Sequence, residues 1–280
     1  MRVTDDCRPC LEKLIATTAY LATEDPARRE EALAAGLAVL ERFFPRGEIP
    51  TRIAAEAQRA VRAAAGNPDP FAPVKQREMT AAASILERLG ANRDADLPAL
   101  VALAALGNAV DFFRDLDEAA REMTAAHVRF HVDHRPEFLA RLERVRTVLY
   151  VADNAGEVYF DLPLLRALRA RCRVVYVVKE GPVQNDLTWL DLERAGLKCK
   201  AGEVLTTGTD SPGLDLNRAS AACREAFAAA DLVLAKGMGN YETLSEVDHG
   251  GKVFYLLKAK CGPVARALGV PRDAYLAAFC

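Results

Sequence analysis

The sequence predicts an α/β protein: a Rossmann-like three-layer α/β/α domain with a mostly parallel sheet, preceded by an all-helical N-terminal region. Three observations carry this. Residues from about 8 to 144 are rich in Ala, Leu, Arg and Glu, with apolar positions at helical spacing and no β-alternation. From Arg146 onward, short β-branched runs alternate with helical stretches. Those runs are almost continuously apolar, as strands covered on both faces must be. The expected division is a helical region over 1–144 and an α/β metal- and phosphate-binding domain over 145–280.

In the first half, Glu30–Phe44 (EEALAAGLAVLERFF) reads as an amphipathic helix. Others are expected at Pro50–Ala65, Pro73–Leu89, Leu97–Phe113 and Arg135–Arg144, with a break at Gly66-Asn67-Pro68-Asp69-Pro70. In the second half the expected strands are Thr147–Ala152, Arg173–Val178, Asp231–Ala235 and Val253–Leu257, with a weaker one near Lys198–Leu205. Helices fit between or after them at Asp161–Ala170, Thr188–Ala195, Leu216–Ala229 and Gly262–Leu268.

The formal net charge is -2 over 280 residues, which gives neither a basic footprint for nucleic acid nor a polybasic membrane patch. No apolar run is long enough to span a bilayer, and MRVTDDCRPC is too polar for a signal peptide, so a cytoplasmic location is expected. The seven cysteines, Cys7, Cys10, Cys172, Cys199, Cys223, Cys261 and Cys280, are then expected to be mostly thiols rather than a disulfide framework.

The polar residues just beyond each strand point to function. Asp153 and Asn154 come after the first; Lys179, Gly181, Asn185 and Asp186 come after the second. Lys236, Gly237 and Asn240 come after LVLA, and Lys258 and Lys260 after the last expected strand. In open α/β sheets, ligands bind beyond the carboxyl ends of the strands, so these residues should converge. Two carboxylates and a carboxamide make a hard oxygen-donor set, suited to a divalent ion that keeps waters for a substrate to displace. An isolated Asp-Asn would be explained by helix capping alone. Capping does not explain Asp186 and the lysines at the same edge. Gly156 and Gly181 would allow close backbone approach to an anion, with helix N-termini beside them. Lys236 and Lys258 either snorkel to solvent or meet that anion. The turn-rich loop Thr206–Gly213 would either close over a substrate or form an ordinary surface loop.

Other signals are weaker. Cys7-x-x-Cys10 is half of a zinc pattern, completed by Cys261 or a histidine if at all; a buried structural pair is the plainer reading. His127, His131 and His134 lack an accompanying acid motif and fit a solvated helix face. Asn108 and Asp111 sit in the apolar segment LAALGNAVDFF and need partners, in the core or in a site.

Taken together, DNAGEVYFD (Asp153–Asp161), KEGPVQNDLT (Lys179–Thr188), LAKGMGNYETL (Leu234–Leu244) and LLKAKCGPVARALGV (Leu256–Val270) resemble the metal-dependent damage-control phosphatase family. The N-terminal CxxC, GNPDPF with Lys75, and GNAVDF resemble its short microbial branch. The likeness runs over essentially the whole chain. It implies a metal held by Asp153, Asn154 and Asp186, and a phosphate contact from Lys236. It departs from the family at Met238-Gly239, where relatives often carry a polar residue.

The functional expectation is a metal-dependent phosphatase hydrolysing small phosphomonoesters, sugar phosphates or damaged phosphometabolites. The cofactor expected is a divalent ion: Mg²⁺, Mn²⁺, Co²⁺ or Ni²⁺. Catalysis would fall to Asp153, Asp186, Glu157 and Lys236, with substrate contacts from Gly156, Gly181, Asn185, Asn240, Lys258, Asn108 and Asp111. The attacking group is either water or a carboxylate. The expected partner is a small phosphorylated metabolite, with no nucleic acid and no membrane, in a monomer or small homo-oligomer. The alternatives are an S-adenosylmethionine-dependent carboxyl methyltransferase, which lacks its glycine-rich turn here, and a non-catalytic metal or redox module at Cys7 and Cys10.

Overall fold

The structure is a computed structural model that describes residues 1–90, 95–108 and 128–280. It opens with helices α1 (Cys7–Ala22), α2 (Pro26–Phe43), α3 (Pro50–Ala65), α4 (Ala72–Arg88) and α5 (Leu97–Gly107). Local chemistry sets their starts. Asp25 accepts the Ala27 and Arg28 amides and Pro26 occupies the first position of α2, while Asp96 accepts the Ala99 amide at α5. Helices α1 to α3 form a layer around Leu11, Ile15, Leu40, Ile53 and Val61.

Gly36 is where this layer closes: a Cβ there would lie 2.5 Å from Ile15 Cγ2 and 2.7 Å from Val61 Cγ2. The absence of a side chain on α2 lets α1 and α3 pack against it.

The remaining elements are β1 (Phe130–Asp133), α6 (Arg135–Leu142), β2 (Thr147–Val151), α7 (Val158–Arg169), β3 (Arg173–Val178), α8 (Trp189–Arg194) and α9 (Lys198–Ala201), then β4 (Glu203–Thr206), α10 (Ala221–Ala229), β5 (Leu232–Lys236), α11 (Gly237–Leu244), β6 (Val253–Lys258), α12 (Gly262–Leu268) and β7 (Tyr275–Phe279). Among the described residues the strands form one seven-stranded sheet in the order β1-β7-β6-β5-β2-β3-β4. Neighbours from β6 to β4 are parallel; β7 is antiparallel to β6, and β1 runs with β7.

Strand alternation builds the three layers. Val148, Tyr150, Val174, Tyr176, Leu234 and Phe254 face a core with α5 to α8. Leu149, Val151, Val175, Val233, Tyr255 and Leu257 face the other, with α10 to α12. From β2 the chain proceeds outward to β3 and β4, then returns to β5 on the other side of β2. The strand order therefore reverses between β2 and β5, and their carboxyl ends open a crevice.

The expected fold class holds: a helical N-terminal region followed by a mostly parallel α/β sheet. Details differ. The sheet begins with β1, before residue 145, so the sequence boundary cuts off its edge strand. β1 has only four residues with alternating exposure, and β7 carries two alanines among its five residues, so neither shows the β-branched signal that marks the interior strands. The weak strand near Lys198–Leu205 is a short helix followed by β4, and α10 starts at Ala221 behind a Ser220 cap. Helix α5 ends at Gly107 with Asn108 as its C-cap; residues 109–113 of the expected Leu97–Phe113, with Asp111, lie outside the described residues, as does His127.

Gly36→Val is expected to overpack the α1–α2–α3 seam and cost about 1–3 kcal/mol. Urea unfolding of the variant measures this; an unchanged midpoint would show that the seam yields.

Candidate active site at the strand-order switch

The crevice between β2 and β5 is lined by residues from several connections, brought together by backbone. After β2, the Asp153 carbonyl accepts the Leu187 amide at 2.8 Å, and the Ala155 amide donates to the Asn185 carbonyl at 2.8 Å. This short bridge sets Asn154 directly against Asp186. The three expected metal ligands, Asp153, Asn154 and Asp186, are thus neighbours although 32 positions separate Asn154 from Asp186 in the numbering.

Their electrostatics are those of carboxylates crowded in a buried place. Burial, then the like charges of Glu157 and Asp186, hold the Asp153 carboxyl well above the usual carboxylate range. Burial likewise pushes Asp186 up to about 6, against the pull of Lys179. Asp186 Oδ2 is buried without a hydrogen-bond partner, with Lys179 Nζ 3.6 Å away. The Asn154 nitrogen donates to Glu157 at 3.0 Å and faces Asp153 at 3.4 Å, so its oxygen is turned the other way. Two under-compensated carboxylates and an outward amide oxygen fit a hard divalent cation. Among the described residues no three His, Cys, Asp or Glu side chains converge as a ligand set, so this fit rests on the carboxamide as third donor.

Beneath these three residues lies a cluster cut off from solvent. Lys236 donates to Glu157 Oε2 and to Asp161 Oδ1, both at 2.7 Å, and all three side chains are 0% exposed. Tyr150 and Tyr176, from β2 and β3, donate to the two Asp161 oxygens at 2.7 and 3.0 Å. Asn108, at the end of α5, donates to Glu157 at 2.6 Å and accepts the Lys258 amide at 3.2 Å. Burial opposes the Lys236 charge, yet Asp161 and Glu157 together keep its ammonium above the ordinary lysine range.

This corrects two expected roles. Lys236 does not reach into the crevice as a phosphate contact, because its ammonium is spent on two buried carboxylates. Glu157 is held by Asn108, Asn154 and Lys236, which suits positioning Asn154 better than accepting a proton in open space. The Lys258 ammonium lies 3.5 Å from Asp273 and over the Tyr275 ring. The cations on the crevice side are Lys179, which donates to the Gly213 carbonyl at 2.6 Å, and Lys260, whose charge pulls against the rise in Asp153.

The expected glycine roles shift too. The room left at Gly156 is filled by Glu78 of α4, 3.3 Å from where a Cβ would be, and that at Gly181 by Asp210 at 3.1 Å. These glycines clear space for protein before any ligand. Gly237 is the glycine that faces Asp153: its φ is +75°, and a Cβ there would overlap Asp153 Oδ2. Asn185 donates to both Glu78 oxygens, at 3.1 and 3.0 Å. Asn240 ties the ends of β2 and β5 by donating to the Ala152 and Lys236 carbonyls at 3.1 and 2.7 Å, and its buried oxygen is without a hydrogen-bond partner.

The helical region holds the connections in place. Lys75 of α4 is buried between Asp69 at 2.9 Å and Asp191 at 3.0 Å, and Asp191 also closes a capping box with Thr188. Arg52 of α3 pairs with Asp215 at 2.6 Å, and Arg59 and Arg62 both grip Asp210. The loop Thr206–Gly213 is therefore a fixed wall, with Ser211, Pro212 and Gly213 buried. Sequence reasoning passed over Glu78, Asp161 and the α3 arginines, whose charges on helix faces look like solvated positions until the partner loops are in place. A cavity of about 470 Å³ between α4, α7 and α8 is lined by residues such as Met79, Tyr159 and Arg194, none of them among the expected site residues.

The profile of the damage-control phosphatase ARMT1-like domain matches residues 3–276. The chain belongs to this family. A damage-control phosphatase of Pyrococcus horikoshii is 34% identical over 281 residues, covering 98% of this chain and 96% of the relative. A damage-control phosphatase of Archaeoglobus fulgidus is 30% identical over 279 residues, covering 96% of each. The crystal structure of a DUF89 family protein from Pyrococcus horikoshii superposes with a TM-score of 0.90 at 34% identity, covering 99% of this chain and 98% of that one. Family membership supports a phosphatase, with a small phosphorylated compound as its substrate class. No helix among the described residues is long and apolar enough to cross a membrane.

Lys236→Met is expected to leave Glu157 and Asp161 buried without their cation and to cost about 3–5 kcal/mol. Denaturant unfolding tests this, and a variant as stable as the parent would refute the pairing. Gly237→Ala should fold but displace the Asp153 carboxylate, abolishing any stabilisation by divalent ions in a thermal melt.

Proposed function

We propose that the chain is a metal-dependent phosphomonoester hydrolase acting on small phosphorylated metabolites, with Asp153, Asn154 and Asp186 holding the divalent cation. The observation that carries this reading is the backbone bridge that sets Asn154 against Asp186, with Asp186 Oδ2 buried and lacking a hydrogen-bond partner. When bound, the cation would supply Lewis-acid polarisation of a phosphate oxygen and neutralise charge developing on the transferred group.

The chain's own residues divide the remaining work. Glu157 holds the Asn154 carboxamide so that its oxygen faces the crevice. Lys236 donates to Glu157 and Asp161 and fixes both side chains beneath it. Lys179, next to Asp186, supplies positive charge from the β3 side, and Lys260 does so from the β6 side. Preorganised charges of this kind contribute most of the catalysis in phosphoryl transfer. Gly213, which accepts from Lys179, and Glu78 of α4, packed against Gly156, bound the site on the helical side.

Asp153→Ala is expected to abolish metal-stimulated hydrolysis of a sugar phosphate panel, assayed separately with Mg²⁺, Mn²⁺, Co²⁺ and Ni²⁺, while circular dichroism stays unchanged. Retained activity would sink the ligand assignment. A divalent ion at a hundred times its Kd should add about 2.7 kcal/mol of stability to the parent and none to Asp186→Ala. Replacing Cys7 and Cys10 by serine should leave hydrolysis intact; its loss would favour a module centred on those cysteines.

A further inference from the structure

All seven cysteines are thiols, and three of them stand at the starts of two helices, one in the helical layer and one in the α/β layers. Cys7 and Cys10 lie in the first turn of α1, and Cys261 is the N-cap of α12. Asp6, just before α1, is ion-paired with Arg266 of α12, which brings the two helix starts together. Upstream, the Met1 amine donates to the Glu242 carbonyl at 2.5 Å and to Ser245 Oγ at 2.8 Å, so the leading residues run along α11 towards α12.

The three thiols differ. Cys7 is buried, and its sulfur is engaged by the Thr4 amide at 3.5 Å and hydroxyl at 3.7 Å. Cys10 is exposed one turn on, and Cys261 is half-buried. Burial pushes the Cys261 thiol up to about 11, opposed by the Val264 amide, and among the groups adding to that rise Cys10 precedes Cys7. Both α1 cysteines thus lie within electrostatic reach of Cys261, with Cys10 the stronger neighbour.

Pairing within CxxC is disfavoured by geometry. Residues three apart inside a helical turn hold their Cβ atoms about 5–6 Å apart, whereas a disulfide needs about 3.5–4.5 Å. Joining Cys7 to Cys10 would unwind the first turn of α1 and strip Cys7 of its Thr4 contacts. A partner on another element leaves the first turn of α1 intact. These thiols are not read as a metal site, since no metal-holding group of three occurs among the described residues.

We infer that Cys10 and Cys261 form a reversible oxidative cross-link between the helical layer and the α/β layers. The exposed Cys10 thiol reacts with a peroxide to give a sulfenic acid, releasing one water. The Cys261 sulfur then attacks the Cys10 sulfur, the S–O bond breaks and a second water leaves with the Cys261 proton. Two thiols are oxidised to one disulfide and one hydrogen peroxide is reduced to two waters. A low-molecular-weight dithiol reverses it by exchange. The link closes almost the whole chain into one loop, where the loss of denatured-state entropy is large. It also anchors the segment after β6 that carries Lys260. The inference is independent of the phosphatase reading.

The test treats the full-length reduced protein with hydrogen peroxide, blocks remaining thiols with an alkylating agent and maps peptides by mass spectrometry, alongside thermal melts. The expected result is a Cys10–Cys261 peptide in the parent and in Cys7→Ser, absent in Cys10→Ser and in Cys261→Ser. The melting temperature should rise by at least about 3 °C in the two cross-linked proteins and return with dithiothreitol. A dominant Cys7–Cys10 pair, any other pairing, or oxidation of Cys10 to sulfinic acid without a cross-link would overturn it. Neither readout uses hydrolysis, so loss of the functional reading would leave this outcome interpretable.

Discussion

Lys236 sits with no solvent exposure between Glu157 and Asp161, and most of the crevice is arranged around that contact. A lone ammonium or carboxylate in such a place costs several kcal/mol, so the group survives only because each charge is paired and hydrogen-bonded. Every partner comes from a different element. Lys236 ends β5, Glu157 ends the turn after β2, Asp161 is in α7, the tyrosines are in β2 and β3, and Asn108 ends α5. Because the pairing is directional, it fixes where these ends lie relative to one another. Hydrophobic burial on the two sheet faces makes the layers adhere but leaves that registry open.

The surface above the cluster inherits its precision. Glu157 holds Asn154, and Asn154 faces Asp186 across the backbone bridge. Gly237 gives Asp153 its space, and Asn240 ties the β2 and β5 ends through their carbonyls. The helical region completes the arrangement from outside. Glu78 fixes Asn185, Lys75 fixes Asp191, and the α3 arginines fix Asp210 and Asp215. The N-terminal helices therefore form a wall of the site, since the connections after β3 and β4 have their charged partners there.

Much of this was legible from residue pattern. Strands buried on both faces announce themselves as continuous apolar runs, and β3 was read to the residue. The convergence of Asp153, Asn154 and Asp186 was legible because all three stand at strand ends, where topology makes ends converge. The edge strands were not, since a half-exposed four-residue strand such as β1 has neither a run nor a period long enough to register. The role of Lys236 was also hidden. A lysine after an apolar strand has the same sequence signature whether it reaches forward to an anion or folds back beneath the sheet end. Only the positions of Glu157 and Asp161 decide, and those depend on the tight turn after β2. Gly156 misled similarly: a glycine clears space equally for a phosphate or for the Glu78 main chain.

The charge balance bears on why the proposed chemistry calls for a cation. A phosphomonoester arrives as a dianion, and the crevice presents Asp153 and Asp186 to it. At about 4 Å and an effective dielectric near 20, each unit pair repels by roughly 4 kcal/mol. Lys179 lies 3.6 Å from Asp186 and is already committed to the Gly213 carbonyl, so it offsets part of that repulsion. Lys236 offsets none of it directly, because two carboxylates absorb its charge below the floor. Burial holds both carboxyls above the ordinary range, with the like charge of Glu157 adding to the rise in each. A bound divalent cation would oppose both effects. Asp153, Asn154 and Asp186 would hold it, and it would supply the positive charge that favours the ionised form of the two carboxyls and attracts a phosphate oxygen. On this reading the carboxylates are kept close and under-compensated because their binding partner carries two positive charges, which no side chain of this chain can supply.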